Sequence, residues 1–391
     1  MRKKRGHADD TKLVDAGRPP ASAAYPVNPP VTRASTILFD TYKDFQEGAR
    51  NIVYGRFGTD THRALEAAVT DLEGGVRTHL TPSGLSAVTA SILAFVKAGD
   101  HVLISDGVYD PTRGFCERFL KRFGVTPDYY DPQIGAAIAD KITPATKAIV
   151  AESPSSLTFE VQDLPAIAAA ARKADVKLIV DNTWGAGYFL KPIALGAHVS
   201  LQAGTKYLVG HSDALIGAIT CADEVCAEAV TQSLRQLGSS VSADDAALAL
   251  RGLRTLSVRL KRHEQTGLAL AEWLAARPEV SRVLHPARPG APGHDIWRRD
   301  FTGASGLFSI VLAPVPEVAL EAFFNAMTLF GMGFSWGGYE SLAIPSRPGK
   351  WRTATVWADP GPVVRIHAGL EDPGDLIEDL DQAFAAMAAT Q

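Results

Sequence analysis

From His79 to Cys221 the chain repeats one pattern: a short apolar run, a turn, then residues at helical spacing. Strands are expected at His101–Ser105, Thr126–Tyr130, Ala148–Glu152, along Leu178–Asp181, from Val199, and over Leu215–Cys221. Helices are expected at Pro111–Phe123, Ile134–Lys141 and Leu164–Ala174. Strands that alternate with helices predict a mostly parallel sheet covered on both faces. In such sheets the active groups gather at the carboxyl ends of the strands. Ser83, Asp181 and Lys206 all close or follow an apolar run, so they are expected at one edge of the sheet.

The flanks differ from this middle. Residues 12–57 carry Pro19-Pro20, Pro26 and Pro29-Pro30 without a helical period, which predicts an extended arm packed against something else, such as a second subunit. Thr61–Leu72 follows as an amphipathic helix, with Leu65, Val69 and Leu72 on one side and Gly74-Gly75 at its end. Beyond Asp223 a long helical region covers Asp244–Leu274 and leaves at Pro278. Strands near Val280–Leu284, Gly306–Leu312 and Val363–His367, with helices at Val318–Met327 and Pro373–Met387, then predict a smaller α+β domain. With 391 residues the chain is too long for one simple core. The expected division is an arm at 1–57, a large domain at 58–250 and a C-terminal domain at 251–391.

Charge and cysteine usage exclude several classes. A net charge of −4 leaves no excess of basic residues to neutralise phosphates, so a nucleic-acid partner is not expected. The one basic run, Arg2–Arg5, leads into Gly6 and His7 rather than an apolar segment, and reads as a solvated tail and not a signal peptide. No stretch approaches the roughly 20 apolar residues of a bilayer span, so no membrane association and a cytoplasmic location are expected. Cys116, Cys221 and Cys226 lack a disulfide framework and fit a reducing compartment. His198, His211 and Asp213 match neither a helical zinc pair nor a calcium loop, so no metal is expected.

What remains is a lysine and an acid on neighbouring strand ends. Pyridoxal phosphate needs both: an amine for its aldehyde and a carboxylate for its pyridinium nitrogen. Lys206 and Asp181 supply them. Between the strand at His79 and the Ala/Leu-rich helix after it, Pro82-Ser83-Gly84 leaves free N–H groups facing any anion at that helix start. No G-x-G-x-x-G follows the early strands, which argues against a nicotinamide dehydrogenase.

Five motifs in order, Tyr54-Gly-Arg56, Asp181-Asn-Thr-Trp184, Ala203–Asp213, Arg251-Gly-Leu-Arg-Thr255 and Ser335-Trp-Gly-Gly-Tyr-Glu-Ser-Leu342, make the chain resemble the Cys/Met-metabolism family of pyridoxal-phosphate enzymes over nearly its whole length. The resemblance implies an aspartate-aminotransferase-like (type I) α/β fold, with a mostly parallel seven-stranded sheet in the large domain and a smaller C-terminal α+β domain. It implies that Lys206 condenses with the cofactor aldehyde and moves the Cα proton, that Asp181 holds the ring nitrogen and that Tyr109 stacks on the ring. Gly84, Leu85 and Thr205 would bind the phosphate, with Tyr54 and Arg56 reaching it from a neighbouring subunit. Arg365, Ser335 and Trp336, with Tyr54, would bind the amino-acid substrate, Arg365 by its carboxylate. A homo-oligomer with shared sites, in the family a tetramer of two tight dimers, is implied. So is β-elimination of L-cystathionine, with the γ-lyases and sulfhydrylases of the same family as alternatives. A non-catalytic relative would be expected to lack Lys206, Tyr109 or Arg365, and all three are present. The chain departs from the family at Ala203, often serine, at Phe57, an arginine in some members, and at Phe334, frequently tyrosine.

Overall fold

The computed structural model describes residues 7–18, 26–48 and 52–390. The Arg2–Arg5 run and Pro19-Pro20 of the arm lie outside the described residues. The larger sheet is built from β1 (Arg77–Thr81), β2 (His101–Ser105), β3 (Thr126–Tyr130), β4 (Thr146–Glu152), β5 (Lys177–Asp181), β6 (Val199–Gln202) and β7 (Gly217–Cys221). Their spatial order is β1-β7-β6-β5-β4-β2-β3. The run from β3 to β6 is parallel throughout, and β7 alone is antiparallel to both of its neighbours. The connection from β6 to β7 contains no helix, so the chain is not carried back across the sheet and must return in the opposite direction.

Side chains along the central strands divide between two cores. Leu103, Ile149, Ala151, Leu178 and Val180 face one, with helices Asp60–Glu73, Leu164–Lys173 and Ala243–Leu253 over them. Val102, Ile104, Ala148, Val150, Ile179, Val199 and Leu201 face the other, under helices Gly84–Leu93, Asp110–Arg118 and Glu224–Gln236. Each fully buried Val, Leu or Ile contributes about 1.5–3 kcal/mol, which locks the strand register and therefore the edge where the polar residues emerge.

The smaller sheet has β8 (Val280–Leu284), β9 (Leu307–Leu312), β10 (Leu342–Ser346) and β11 (Val363–His367), in the order β10-β11-β9-β8 and antiparallel throughout. Val364 and Ile366 pack with Phe323, Leu380 and Phe384 of helices Glu317–Ala326 and Pro373–Ala388. Val363, Leu307 and Val311 instead join the core of the larger sheet. Strand alternation then turns Arg365 and His367 toward the large domain along with Val363.

Several elements differ from the sequence expectation for identifiable reasons. The Asp244–Leu274 region is two helices, Ala243–Leu253 and Leu256–Ala275. The first tightens at its end into shorter-range bonds, Arg254 N–H to the Arg251 carbonyl at 3.2 Å and Thr255 N–H to that of Gly252 at 3.1 Å, and Arg259 Nη2 also donates to the Gly252 carbonyl at 2.8 Å. The Pro111–Phe123 helix ends at Arg118 and tightens into a 3-10 turn at Leu120–Phe123; Gly135–Lys141 is likewise 3-10 rather than α-helical. Helix Glu224–Gln236, capped by the Asp223 side chain on Cys226 N–H, was not anticipated. The arm is not extended throughout, since Asp9–Asp15 and Tyr42–Glu47 are helical. The unanticipated β10 contains Pro345, which is tolerated because β10 is an edge strand; Pro127 sits on edge strand β3 in the same way.

One buried carboxylate ties the two sheets together beside the strand ends. Asp106, just after β2, accepts the backbone N–H groups of Thr353, Ala354 and Thr355 at 2.8–3.2 Å, the Thr355 hydroxyl at 2.8 Å and an ion pair from Arg113. Arg352 adds an ion pair to Glu160 at 2.8 Å. Replacing Asp106 by alanine strands buried Arg113 and three backbone donors. Asp106→Ala should therefore lose about 3–5 kcal/mol of stability to denaturant, and limited proteolysis should cut within residues 351–357 faster than in the parent.

Candidate active site

β5 and β6 deliver the central pair. Asp181 ends β5 and stands in register with Leu201 of β6, and Lys206 follows β6 after a short turn. Thr183 joins the two strand ends: it donates its N–H (2.9 Å) and its hydroxyl to Asp181 Oδ1, and its hydroxyl oxygen accepts the Ala203 N–H at 2.9 Å. Beneath them Glu73, buried at the end of helix Asp60–Glu73, accepts from Asn182, Ser200 (2.9 Å) and Gln202. Burial raises the pKa of both carboxyls. For Asp181 the Thr183 bonds and the Lys206 charge pull in the opposite direction.

Lys206 Nζ donates to Ser335 Oγ at 2.6 Å and lies 5.4 Å from the centre of the Trp336 ring. Burial, then the nearby Arg365 charge, lower its amine from the ordinary 10.5 to about 8, against the pull of Asp181. Arg365 donates through Nη2 to the Ser335 carbonyl at 2.7 Å, and burial brings its guanidinium down to about 10. Ser335 thus meets the lysine with its hydroxyl and the arginine with its carbonyl. It does so at φ +78°, a left-handed conformation that costs a non-glycine residue of order 1 kcal/mol or more.

Tyr109 precedes helix Asp110–Arg118 with its N–H bound to Glu152 Oε2 at 2.7 Å; burial raises its phenol, and Arg365 and Asp181 both act on it electrostatically. Glu152, the last residue of β4, faces Asp181 in register, and burial together with the Asp181 charge raises its carboxyl well above the usual range. Sequence reasoning passed over Glu152, although an acid closing an apolar strand is the signal that marked Asp181. Gly84 starts its helix against the lysine loop: a Cβ there would fall 2.3 Å from Ala203 Cβ. Ser83 caps that helix by accepting the Ser86 N–H. The Thr205 hydroxyl accepts the Ile216 N–H at 3.0 Å and donates to the Ile216 carbonyl at 3.2 Å, so it is engaged by β7's approach.

Lys206, Asp181, Tyr109, Gly84, Leu85, Thr205, Ser335, Trp336 and Arg365 are thereby linked by contacts or by electrostatic coupling, directly or through their chain neighbours. Tyr54 and Arg56 stand apart. They lie on the 3-10 turn Gly55–Phe57 and its start, where Arg56 covers Phe57 at 4.7 Å and Arg235 approaches the same ring at 5.1 Å. Among the described residues no hydrogen bond or ring contact joins them to Lys206. His198 accepts the Leu178 N–H and the His211 ring meets the Val209 carbonyl, both within 3.0 Å, as structural histidines do.

The arrangement fits pyridoxal phosphate on three observations. Both Thr183 bonds fall on Asp181 Oδ1, and among the described residues no donor meets Oδ2, which leaves it for a ring N–H. The N–H groups of Gly84 and Leu85 at the helix start have no acceptor among the described residues, which suits a phosphate. The Lys206 amine, lowered to about 8 and electrostatically coupled to Asp181, is suited to condense with an aldehyde.

Comparison with known proteins agrees. The chain is 46% identical over 387 residues to a cystathionine beta-lyase of Escherichia coli K12, covering 96% of this chain and 98% of that protein. It is 44% identical to a cystathionine beta-lyase of Bordetella avium, covering 96% and 97%. A solved cystathionine gamma synthase of Xanthomonas oryzae pv. oryzae, in complex with aminoacrylate and cysteine, superposes with a TM-score of 0.92 at 29% identity, covering 99% of this chain and all of that one. The family model described as Cys/Met metabolism PLP-dependent enzyme matches residues 10–385. The chain therefore belongs to the Cys/Met-metabolism family of pyridoxal-phosphate-dependent enzymes.

Proposed function

We propose that the protein is a carbon–sulfur lyase that splits L-cystathionine and water into L-homocysteine, pyruvate and ammonia, a step of methionine biosynthesis. The observation that carries this reading is the Ser335 junction. A lysine amine lowered to about 8 and a buried arginine meet on one residue, so a base and a carboxylate clamp sit side by side. The relatives named as beta-lyases, 44–46% identical over nearly the whole chain, favour the same chemistry.

When bound, pyridoxal phosphate supplies an electron sink for the pair left at Cα. Lys206 takes the proton from Cα, and burial with the nearby Arg365 charge favours the unprotonated amine that can do so. Arg365 grips the α-carboxylate with its planar guanidinium while Nη2 stays anchored on the Ser335 carbonyl, which orients the Cα–H bond toward the base. Trp336, edge-on to Tyr207 at 5.4 Å, closes one wall. Asp181 would hold the ring nitrogen, Gly84 and Leu85 the phosphate, and Tyr109 would pack on the ring, its backbone fixed by Glu152. Thr205, whose hydroxyl here donates to the Ile216 carbonyl at 3.2 Å, would offer that hydroxyl to the phosphate. A γ-elimination would demand a second proton transfer at Cβ.

We read residues 1–57 as the arm, 58–250 as the cofactor-binding domain and 251–391 as the C-terminal domain. The arm carries exposed Val27, Leu38, Tyr42, Phe45 and Tyr54, a profile that supports a homotetramer, a dimer of dimers, with Tyr54 and Arg56 completing a neighbour's site. Three buried, unpaired cysteines fit a cytoplasmic location.

Incubation with L-cystathionine should release pyruvate and a free thiol in equal amounts, and 2-oxobutyrate in place of pyruvate would make the enzyme a γ-lyase. Lys206→Ala should lower kcat by about a thousandfold or more. Chains carrying Lys206→Ala, mixed with chains carrying Tyr54→Phe and Arg56→Ala, should regain activity that neither has alone; no recovery would place the two residues outside any shared site. In the cofactor-free protein, acylation of Lys206 should titrate near 8, and Arg365→Leu should move that midpoint upward, since removing a like charge favours the protonated amine.

A further inference from the structure

We propose that His367 is a positioning residue: it sets the shape of the Ser335–Glu340 loop and, through it, the carboxylate pocket. The inference rests on the reading of Arg365 and Ser335 as that pocket.

His367 is fully buried on β11, two residues beyond Arg365 and on the same face. Its Nε2 accepts the Gly337 N–H at 3.1 Å, and its Nδ1 lies 3.1 Å from the Glu340 carbonyl. Only one form of the ring satisfies both contacts: Nδ1 carries the hydrogen and donates, and Nε2 accepts. That form is neutral, and burial, with the charges of Arg365 and Lys206 nearby, keeps it so.

The loop needs such a partner. Ser335 and Gly337 both have positive φ, +78° and +89°, so no regular ladder of hydrogen bonds runs through it. Its far end is tied by Ser341, which donates its N–H and hydroxyl to Glu371 at 2.8 Å each. Its middle is tied by His367. At that point the loop lies directly on the catalytic lysine: a Cβ on Gly337 would come within 3.0 Å of the Lys206 carbonyl carbon and Cβ. Tyr207, the next residue, fills the space between the rings of His367, His263 and Trp336, with centroids 5.4–6.2 Å away. Releasing Gly337 would therefore move Ser335 away from both Lys206 and Arg365.

The test uses the holoenzyme and glycine, which carries the amine and the carboxylate of the substrate but no leaving group, titrated by the change in visible absorbance of the bound cofactor. His367→Phe keeps the ring volume and removes both hydrogen bonds. It should weaken glycine binding and raise KM for L-cystathionine by about tenfold, the size of one lost hydrogen bond, with kcat changed less than KM. His367→Gln can still accept the Gly337 N–H and should recover most of the loss. Unchanged glycine affinity in His367→Phe would overturn the proposal, as would a glutamine variant no better than phenylalanine, which would leave packing alone as the role. If His367→Phe does not fold, Gly337→Ala displaces the loop from the other side and should show the same loss; unchanged affinity there would also overturn it. Arg365→Leu run in parallel separates the two readings. Affinity lost there but not in His367→Phe refutes only the positioning role, whereas affinity retained in Arg365→Leu refutes the pocket itself and the inference with it.

Discussion

Removal of charge from water is the constraint around which this molecule is arranged. Lys206, Asp181 and Arg365 are brought close together at one sheet edge, where burial works against the charged form of each. Partial compensation comes from polar groups in the turns and loops beside the strand ends: Thr183 on Asp181, Ser335 on both Lys206 and Arg365. The remaining imbalance leaves the lysine amine lowered to about 8. The two cores flanking the sheet support this arrangement because they hold the strand ends in register.

The sheet's parallel run and the position of its polar edge were legible in the sequence because β2, β4, β5 and β6 read as short, largely apolar runs closed by turns. β10 was not: its five residues follow the glycine-rich Ser335–Ser341 stretch and include Pro345, which leaves too short an apolar run to read as a strand. The helix split near Arg254 goes with the shorter-range bonds of Arg254 and Thr255 and the Arg259 contact to the Gly252 carbonyl, none of which any spacing of apolar residues announces. Among site residues, Lys206 and Asp181 followed from chemistry at strand ends, whereas Arg365, Ser335 and Trp336 came from motif resemblance. Glu152 could have been found, since it closes an apolar strand in the same manner as Asp181. Glu73 could not: its carboxylate is recruited by Asn182, Ser200 and Gln202, which are more than a hundred residues away along the chain.

The two sheets divide the work between them. On the reading proposed above, the larger would supply the groups for the cofactor ring and its phosphate, and the smaller, through β11 and the loop before β10, the groups for an amino acid. Asp106 holds the strap of residues 353–355 to the end of β2, beside the turn that presents Tyr109. On that reading substrate recognition and cofactor placement would be mechanically joined even though they arise in different sheets.

The prolines on the edge strands β3 and β10 have a consequence for how copies of the chain can meet. Each removes a donor from a border that would otherwise offer a continuous row for another strand to zip onto. Growth by sheet extension is thereby discouraged at one border of both sheets, so the self-association proposed for the exposed apolar arm would run through side-chain surfaces. A contact made through side chains can stop at a closed assembly, where one made through strand borders would invite open-ended stacking.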